Sequence, residues 1–334
     1  MTVRHIGLGL YGMQSPWVDP AHPGRRVRQL LDHAVMAEDL GFDGLWLSEH
    51  RLWYDGYLSA PLSAAAAIAA ATETIRIGTA VMLFPQHDPV WVATTAAQVD
   101  QWSNGRIDLG LGNGYRDIEF DALGVSRTER GARSSEGIDL MRFLWGEDDA
   151  RPGHRFEWPE QPLTTRPLQR PVPIWVGAMS EPPIRRAASR RAGLILPGGW
   201  DANRLRAAID LYRTEAAGPP RSAGFASVRF AWVADSDESA RRYALPRLDA
   251  FLRDQYLGMA QLESDDPPIA PDASSQATIG SPTTVAADLL ARLDGGIDTL
   301  IVRLSFPYAD DAALRGTIEL FAREVLPVLR GAGP

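Results

Sequence analysis

Apolar residues along this chain alternate between two patterns. Short continuous apolar runs occupy residues 6–10, 44–47, 75–83, 106–112, 173–178, 193–197, 227–234 and 299–304. Between most of them lie longer stretches whose apolar positions recur three and four apart. In residues 25–40, for example, Val27, Leu30, Leu31, Ala34, Val35 and Leu40 share one helical face. Similar helical stretches cover 61–72, 90–102, 133–145, about 181–192, 204–215, 236–256, 281–295 and 312–329, with Pro246 expected to kink the sixth of these. Runs apolar on both faces and separated by helices predict a parallel sheet. Eight such units predict a closed α/β structure, an eight-stranded parallel (β/α) TIM barrel. The chain reads as one domain over 1–334, with insertions near 146–171 and 258–280. Phe156 and Trp158 suit a small hairpin in the first; 262–275, with Pro267, Pro268 and Pro271, reads as a polar loop.

Composition narrows the function classes. The 334 residues carry 34 basic and 42 acidic side chains, a formal net charge of −8, which argues against a nucleic-acid partner. There is no cysteine, so disulfides, thiolate metal sites and cysteine nucleophiles are excluded. His5, His22, His33, His50, His87 and His154 show no metal-ligand spacing, and no metal is expected. Residues 1–13 lack a basic segment followed by a long apolar core, and no run approaches the ~18 apolar residues of a membrane span. A soluble, cytoplasmic protein is the expectation.

Barrel chemistry sits at strand C-termini. The second run ends in Ser48-Glu49-His50, and a histidine there can give or take a proton near neutral pH. The same triplet also reads as a packed histidine beside a capping glutamate. The fourth run ends in alternating Gly110, Gly112 and Gly114, with Asn113, Tyr115 and Arg116 beside them. Glycines there let a ligand approach the backbone, or simply make a tight turn. The fifth run ends in Gly177-Ala178-Met179-Ser180 and opens a helix. Ser180 suits the N-cap, and free N–H groups at such a terminus bind anions, although Pro182 and Pro183 remove two donors. Tyr11, Trp53, Trp200 and Phe306 fall near strand ends, where aromatics wall an apolar or aromatic substrate pocket or pack on neighbouring loops.

With these pieces placed, the chain resembles the bacterial-luciferase-like family of flavin-dependent oxidoreductases. The resemblance rests on AEDLGFDGLWLSEH (37–50), RIGTAVMLFPQHDPV (76–90), GRIDLGLGNGYRDIEFDALGV (105–125), RPVPIWVGAMS (170–180), IGSPTTVAADL (279–289) and IVRLSFP (301–307). It implies a reduced flavin laid across the strand C-termini, with His50 near the ring and a non-prolyl cis peptide at Ala80-Val81, next to Met82. It also implies phosphate contacts from Met179 and Ser180. Asn113 stands where luciferases carry a phosphate-binding arginine, and Arg116 is near enough to substitute. Gly112 replaces the flavin-adjacent cysteine and Arg51 the second histidine of the usual pair, which argues against light emission. Arg303 points toward the mouth, either to hold an anionic substrate or a cofactor carbonyl there or to pair with Glu49.

The first function the resemblance implies is an FMN-dependent monooxygenase, a homodimer supplied with reduced FMN by a separate flavin reductase, with His50 moving a proton during oxygen transfer. The alternative is a deazaflavin (coenzyme F420-type) dehydrogenase transferring hydride, with Arg116, Arg130 and Arg133 along the anionic tail. A flavin-binding protein without turnover is a third reading.

Overall fold

The structure, a computed structural model, describes residues 5–11, 25–53, 56–149, 153–263, 277–293, 296–306 and 309–331. Ten strands form its sheet: β1 (His5–Tyr11), β2 (Gly44–Leu47), β3 (Arg76–Thr79), β4 (Met82–Leu83), β5 (Ile107–Gly112), β6 (Ile174–Gly177), β7 (Gly193–Leu196), β8 (Phe225–Val233), β9 (Ala277–Gly280) and β10 (Thr299–Arg303). Eight of them close a parallel barrel in the order β1-β2-β3-β5-β6-β7-β8-β10, and β10 returns to β1 with His5 opposite Thr299. The two extra strands extend the sheet: β4 pairs with β5, and β9 pairs with the far end of β8.

The helices are α1 (Arg25–Asp39), α2 (Pro61–Ala71), α3 (Pro89–Trp102), α4 (Asp117–Asp121), α5 (Arg130–Trp145), α6 (Glu181–Arg190), α7 (Ala202–Glu215), α8 (Asp237–Glu263), α9 (Pro282–Arg292) and α10 (Asp311–Leu320). A π-helical turn (Phe321–Val325) and a last turn (Leu326–Leu329) extend α10.

Side-chain alternation along the strands divides the core. Leu45 and Leu47 point outward into the large cluster beneath the helices. Trp46, Ala80, Trp175, Ile195, Ala226 and Ile301 point inward and fill the barrel, as barrel interiors require. A third cluster, including Trp232, Leu248, Phe251, Ile279 and Phe306, joins α8 and β9 to the end of β8. Buried polar groups tie the elements together. Arg106 donates to Ala69 O, Thr72 O, Ile75 O and Ser103 O and to the Thr72 hydroxyl, so one buried cation closes the C-terminus of α2.

Four expectations need correction. Residues 75–83 are not one strand: the ladder breaks after Thr79, the Ala80–Val81 peptide is cis, and pairing resumes at Met82. Residues 277–280 form a strand that the polar surroundings concealed. Phe156 and Trp158 form no hairpin, because the Glu136 carboxylate accepts the N–H groups of His154, Arg155 and Phe156. Asp100 similarly takes the N–H groups of Leu168 and Gln169, holding the insertion to α3. Finally, α8 runs on through Pro246 to Glu263, beyond the expected end. Most of the loop expected at 262–275 lies outside the described residues, as does the stretch 17–24.

Candidate active site

The strand tips of β2, β4 and β5 gather one set of side chains. After β2, residues 48–51 leave the sheet, and Glu49 and His50 face different neighbours. Glu49 and Arg51 face β4. The Glu49 carboxylate is fully buried and accepts from Leu83 N–H at 2.7 Å, and it pairs with Arg51 at 2.5 Å and His87 at 3.0 Å. Arg51 also donates to Gln86 at 2.8 Å. Glu49 therefore pairs with Arg51 and His87, not with Arg303 as one reading expected. This network fixes the chain on both sides of His50.

His50 faces the other way, toward α4 and an aromatic shell. Its Nδ1 lies 3.1 Å from Glu119 Oε1, and its Nε2 lies 3.4 Å from the Tyr115 hydroxyl. The rings of Trp53, Tyr57 and Tyr115 lie 4.7, 4.9 and 5.4 Å from the imidazole, and the Tyr57 hydroxyl is tied to Ser48 Oγ at 2.7 Å. Glu119 has no exposed surface. Burial opposes its ionisation. The hydrogen bond and charge of His50, the Arg51 N–H and the Arg116 guanidinium outweigh that, and hold its carboxyl below the usual carboxylate range. An ionised Glu119 accepts the Nδ1 proton, so a proton leaving the ring leaves from Nε2. The arrangement is that of a base whose second nitrogen is oriented by a carboxylate.

The sequence singled out neither Glu119 nor its role. Arg116 is not turned toward a phosphate: its guanidinium donates to Arg51 O, Leu52 O and Glu119, and lies 4.3 Å above the Trp53 ring. Asn113 Oδ1 accepts from the Ser134 hydroxyl. Ser180 takes the N-cap position of α6, but its side chain makes no capping bond; it and Met179, which is 74% exposed, stand free at that terminus.

At the tips of β5 and β6 stand Gly112 and Gly177, and Val81 packs against both. A Cβ at Gly112 would overlap Val81 Cγ2, and one at Gly177 would lie 3.0 Å from Val81 Cγ1. Val81 thus fills the space these glycines leave, with Ala80 in the barrel cluster, Met82 behind it and Ala178 buried at the next strand tip. Glycine-lined strand tips with a small apolar side chain between them suit a flat ring. A hydroxyl and an uncapped helix N-terminus nearby suit a phosphate, with the donors reduced by Pro182 and Pro183. The residues present fit a flavin-type cofactor.

Arg303, at the end of β10, lies 4.7 Å from the Phe230 ring and 4.9 Å from the Phe251 ring of α8, beside the cluster that joins α8 to the end of β8. Of the four aromatics expected to wall a pocket, Trp53 alone adjoins His50. Tyr11 points outward and bonds His33 at 3.2 Å. A register shift between Leu8 and Tyr11 inserts one residue and reverses the alternation that puts Gly7 and Gly9 inside. Trp200 packs in the outer layer under Arg204 of α7. Phe306 packs on Phe230 and Trp232. No helix of the described residues is long and apolar enough to cross a membrane.

Residues 9–299 match the luciferase-like monooxygenase family. The chain is similar to 4-hydroxyprotoasukamycin monooxygenase of Streptomyces nodosus subsp. asukaensis, 27% identical over 95% of this chain and 92% of that one. It is similar to an F420-dependent hydroxymycolic acid dehydrogenase of Mycobacterium tuberculosis, 32% identical over 93% and 87%. Among solved structures, monooxygenase RslO1 from Streptomyces bottropensis superposes with a TM-score of 0.82 at 26% identity, covering 97% of this chain and 99% of that one.

Proposed function

This chain belongs to the luciferase-like monooxygenase family, and we propose that it is an FMN-dependent monooxygenase acting on a small apolar or aromatic molecule. The family includes both flavin monooxygenases and F420-dependent dehydrogenases, and either activity makes the chain an oxidoreductase. The observation that carries the reading is the Glu119–His50–Tyr115 array, flanked by Trp53 and Tyr57 at the strand C-termini.

Reduced FMN, when bound, supplies two electrons and activates oxygen; the protein supplies position, a dry pocket and a proton. Gly112, Gly177, Ala80, Val81 and Met82 would bear the ring, with Asn113, Tyr115, Ala178, Met179 and Ser180 around its phosphate arm. His50 Nε2 accepts a proton and returns it, while Glu119 holds Nδ1–H and stabilises the imidazolium that forms. Tyr115 donates to Nε2 in the resting state and must yield that position for the transfer. Arg303, held by Phe230 and Phe251, is placed to fix a polar end of the substrate.

Of the three arginines expected along a deazaflavin tail, Arg116 is committed elsewhere, which supports FMN. A coenzyme with an anionic tail needs basic groups free beside the site. Arg116 is spent on carbonyls and Glu119, Arg130 donates to Arg127 O, and Arg133 donates to Pro85 O while lying over Phe156. A homodimer and a partnering flavin reductase complete the proposal. The dimer reading is supported by α2 and α3: they carry one charged residue, the buried Asp100, yet expose Trp91 and Trp102.

The test is an anaerobic titration with reduced FMN and with deazaflavin coenzyme, followed by admission of oxygen. Saturable FMN binding and oxygen uptake support the proposal. Preferential deazaflavin binding without oxygen uptake transfers the assignment to hydride transfer, and binding of FMN with no turnover in a substrate screen supports the non-catalytic reading.

A further inference from the structure

We propose a second ligand site at the opposite, N-terminal end of the barrel, selective for a small uncharged polyhydroxylated molecule the size of one sugar ring. A cavity of about 370 Å³ opens there, below the Trp46 and Trp175 layer that separates it from the His50 end. Its volume lies near the lower bound of small-molecule pockets, roughly 300–1,000 Å³.

The wall carries polar atoms whose bonding is incomplete. Trp46 is 4% exposed and lines the cavity, and its indole Nε1 edge lies against Gly7 and Gly44, which also line it. That N–H has no hydrogen-bond partner among the described residues, whereas the neighbouring Trp175 N–H donates to Asp108 at 3.1 Å. A donor that opens onto a cavity and has no protein partner is met by an acceptor inside that cavity. Arg76 uses Nε on Asp108 and Nη2 on Ile107 O and Gln169, which leaves Nη1 as a second donor without a partner among the described residues. Asp43 uses Oδ2 for Ile6 N–H and Arg330, which leaves Oδ1 as an acceptor. Asp298 accepts from Phe225 N–H and the Thr299 hydroxyl.

These open valences select the ligand. An anion would meet the carboxylates of Asp43, Asp108 and Asp298. A cation would meet Arg76 and leave the indole N–H unanswered. A hydroxyl group both accepts from Trp46 and Arg76 and donates to Asp43, and several hydroxyls on one small frame answer all three at once. The indole rings, 5.7 Å apart and nearly perpendicular, offer apolar surface to the C–H face of such a frame. The site shares no residue with the proposed flavin site, so it stands or falls separately.

The probes are D-glucose, myo-inositol and glycerol, with ethylammonium chloride and sodium acetate as charged comparators. The readout is the Trp46 indole N–H resonance of the full-length protein, identified as the one missing from Trp46→Phe. At least one neutral probe should shift it saturably, with neither charged comparator doing so. Ser222→Tyr, at the exposed rim of the cavity, should weaken that binding at least about tenfold and leave reduced-FMN affinity unchanged. Because Ser222 is exposed, this variant does not depend on repacking the barrel interior. No saturable shift with any neutral probe means the cavity holds water alone and overturns the proposal. So does a response to the charged comparators only, or full affinity in Ser222→Tyr.

Discussion

Replacing Glu119 by Gln should separate chemistry from cofactor binding. The carboxylate serves His50 Nδ1 at 3.1 and 3.3 Å, the Arg51 N–H at 2.8 Å and Arg116 Nη1 at 3.3 Å. The amide oxygen of glutamine can keep the last two. Its NH₂ group then faces Nδ1, which must become an acceptor, so the ring proton moves to Nε2 and the base is blocked. The bond lost is charge-assisted, worth about 1.5–3 kcal/mol. Expressed on the rate, that is roughly a 10- to 150-fold loss. The assay is product formed from an apolar carbonyl probe at saturating reduced FMN, beside the FMN dissociation constant and the nitrogen chemical shifts of the His50 ring. Turnover should fall within that range, FMN affinity should hold within about twofold, and the ring should switch tautomer. Unchanged turnover with a switched tautomer would refute the assigned role, as would FMN affinity falling in step with turnover.

Other expectations test the frame around the site. Arg106→Met should lower unfolding free energy by about 3 kcal/mol, because the carbonyls at the end of α2 lose their donor in a buried setting; urea denaturation followed by circular dichroism measures it. Glu38 is partly buried, which opposes ionisation, but the N–H groups of Glu73, Thr74 and Ile75 hold its pKa down to about 2 from 4.5. A depressed carboxylate stabilises the fold above the unfolded value, so its contribution should be complete above pH 4.5 and fade as pH falls toward 2; the urea midpoints of wild type and Glu38→Gln should converge across that window. Trp102→Asp should turn the proposed homodimer into a monomer of similar thermal stability, read by analytical ultracentrifugation.

How much of this was legible beforehand follows from which interactions are local. The eight barrel strands announced themselves because strands buried on both faces leave continuous apolar runs. The break after Thr79 left no such mark, since Ala80 and Val81 are as apolar as their neighbours. The strand at 277–280 was hidden because it is four residues long and pairs only with the outer end of β8. His50 could be singled out by its place at a strand end. Glu119 could not: it lies on a five-residue helix among acidic neighbours, a setting that reads as solvated, and its burial comes from the distant segment 50–53 closing over it. Tyr11 was misplaced by one inserted residue, which strand parity cannot register from sequence. Arg116 was misjudged because proximity along the chain says nothing about which carbonyls claim a guanidinium.

The most direct measurement is a crystal structure of the protein with FMN bound. The account places the isoalloxazine at the C-terminal ends of the strands, in contact with Val81 and facing the His50 imidazole, which still bonds Glu119. A ring bound at the other end of the barrel, or one that leaves His50 outside contact range, would contradict it.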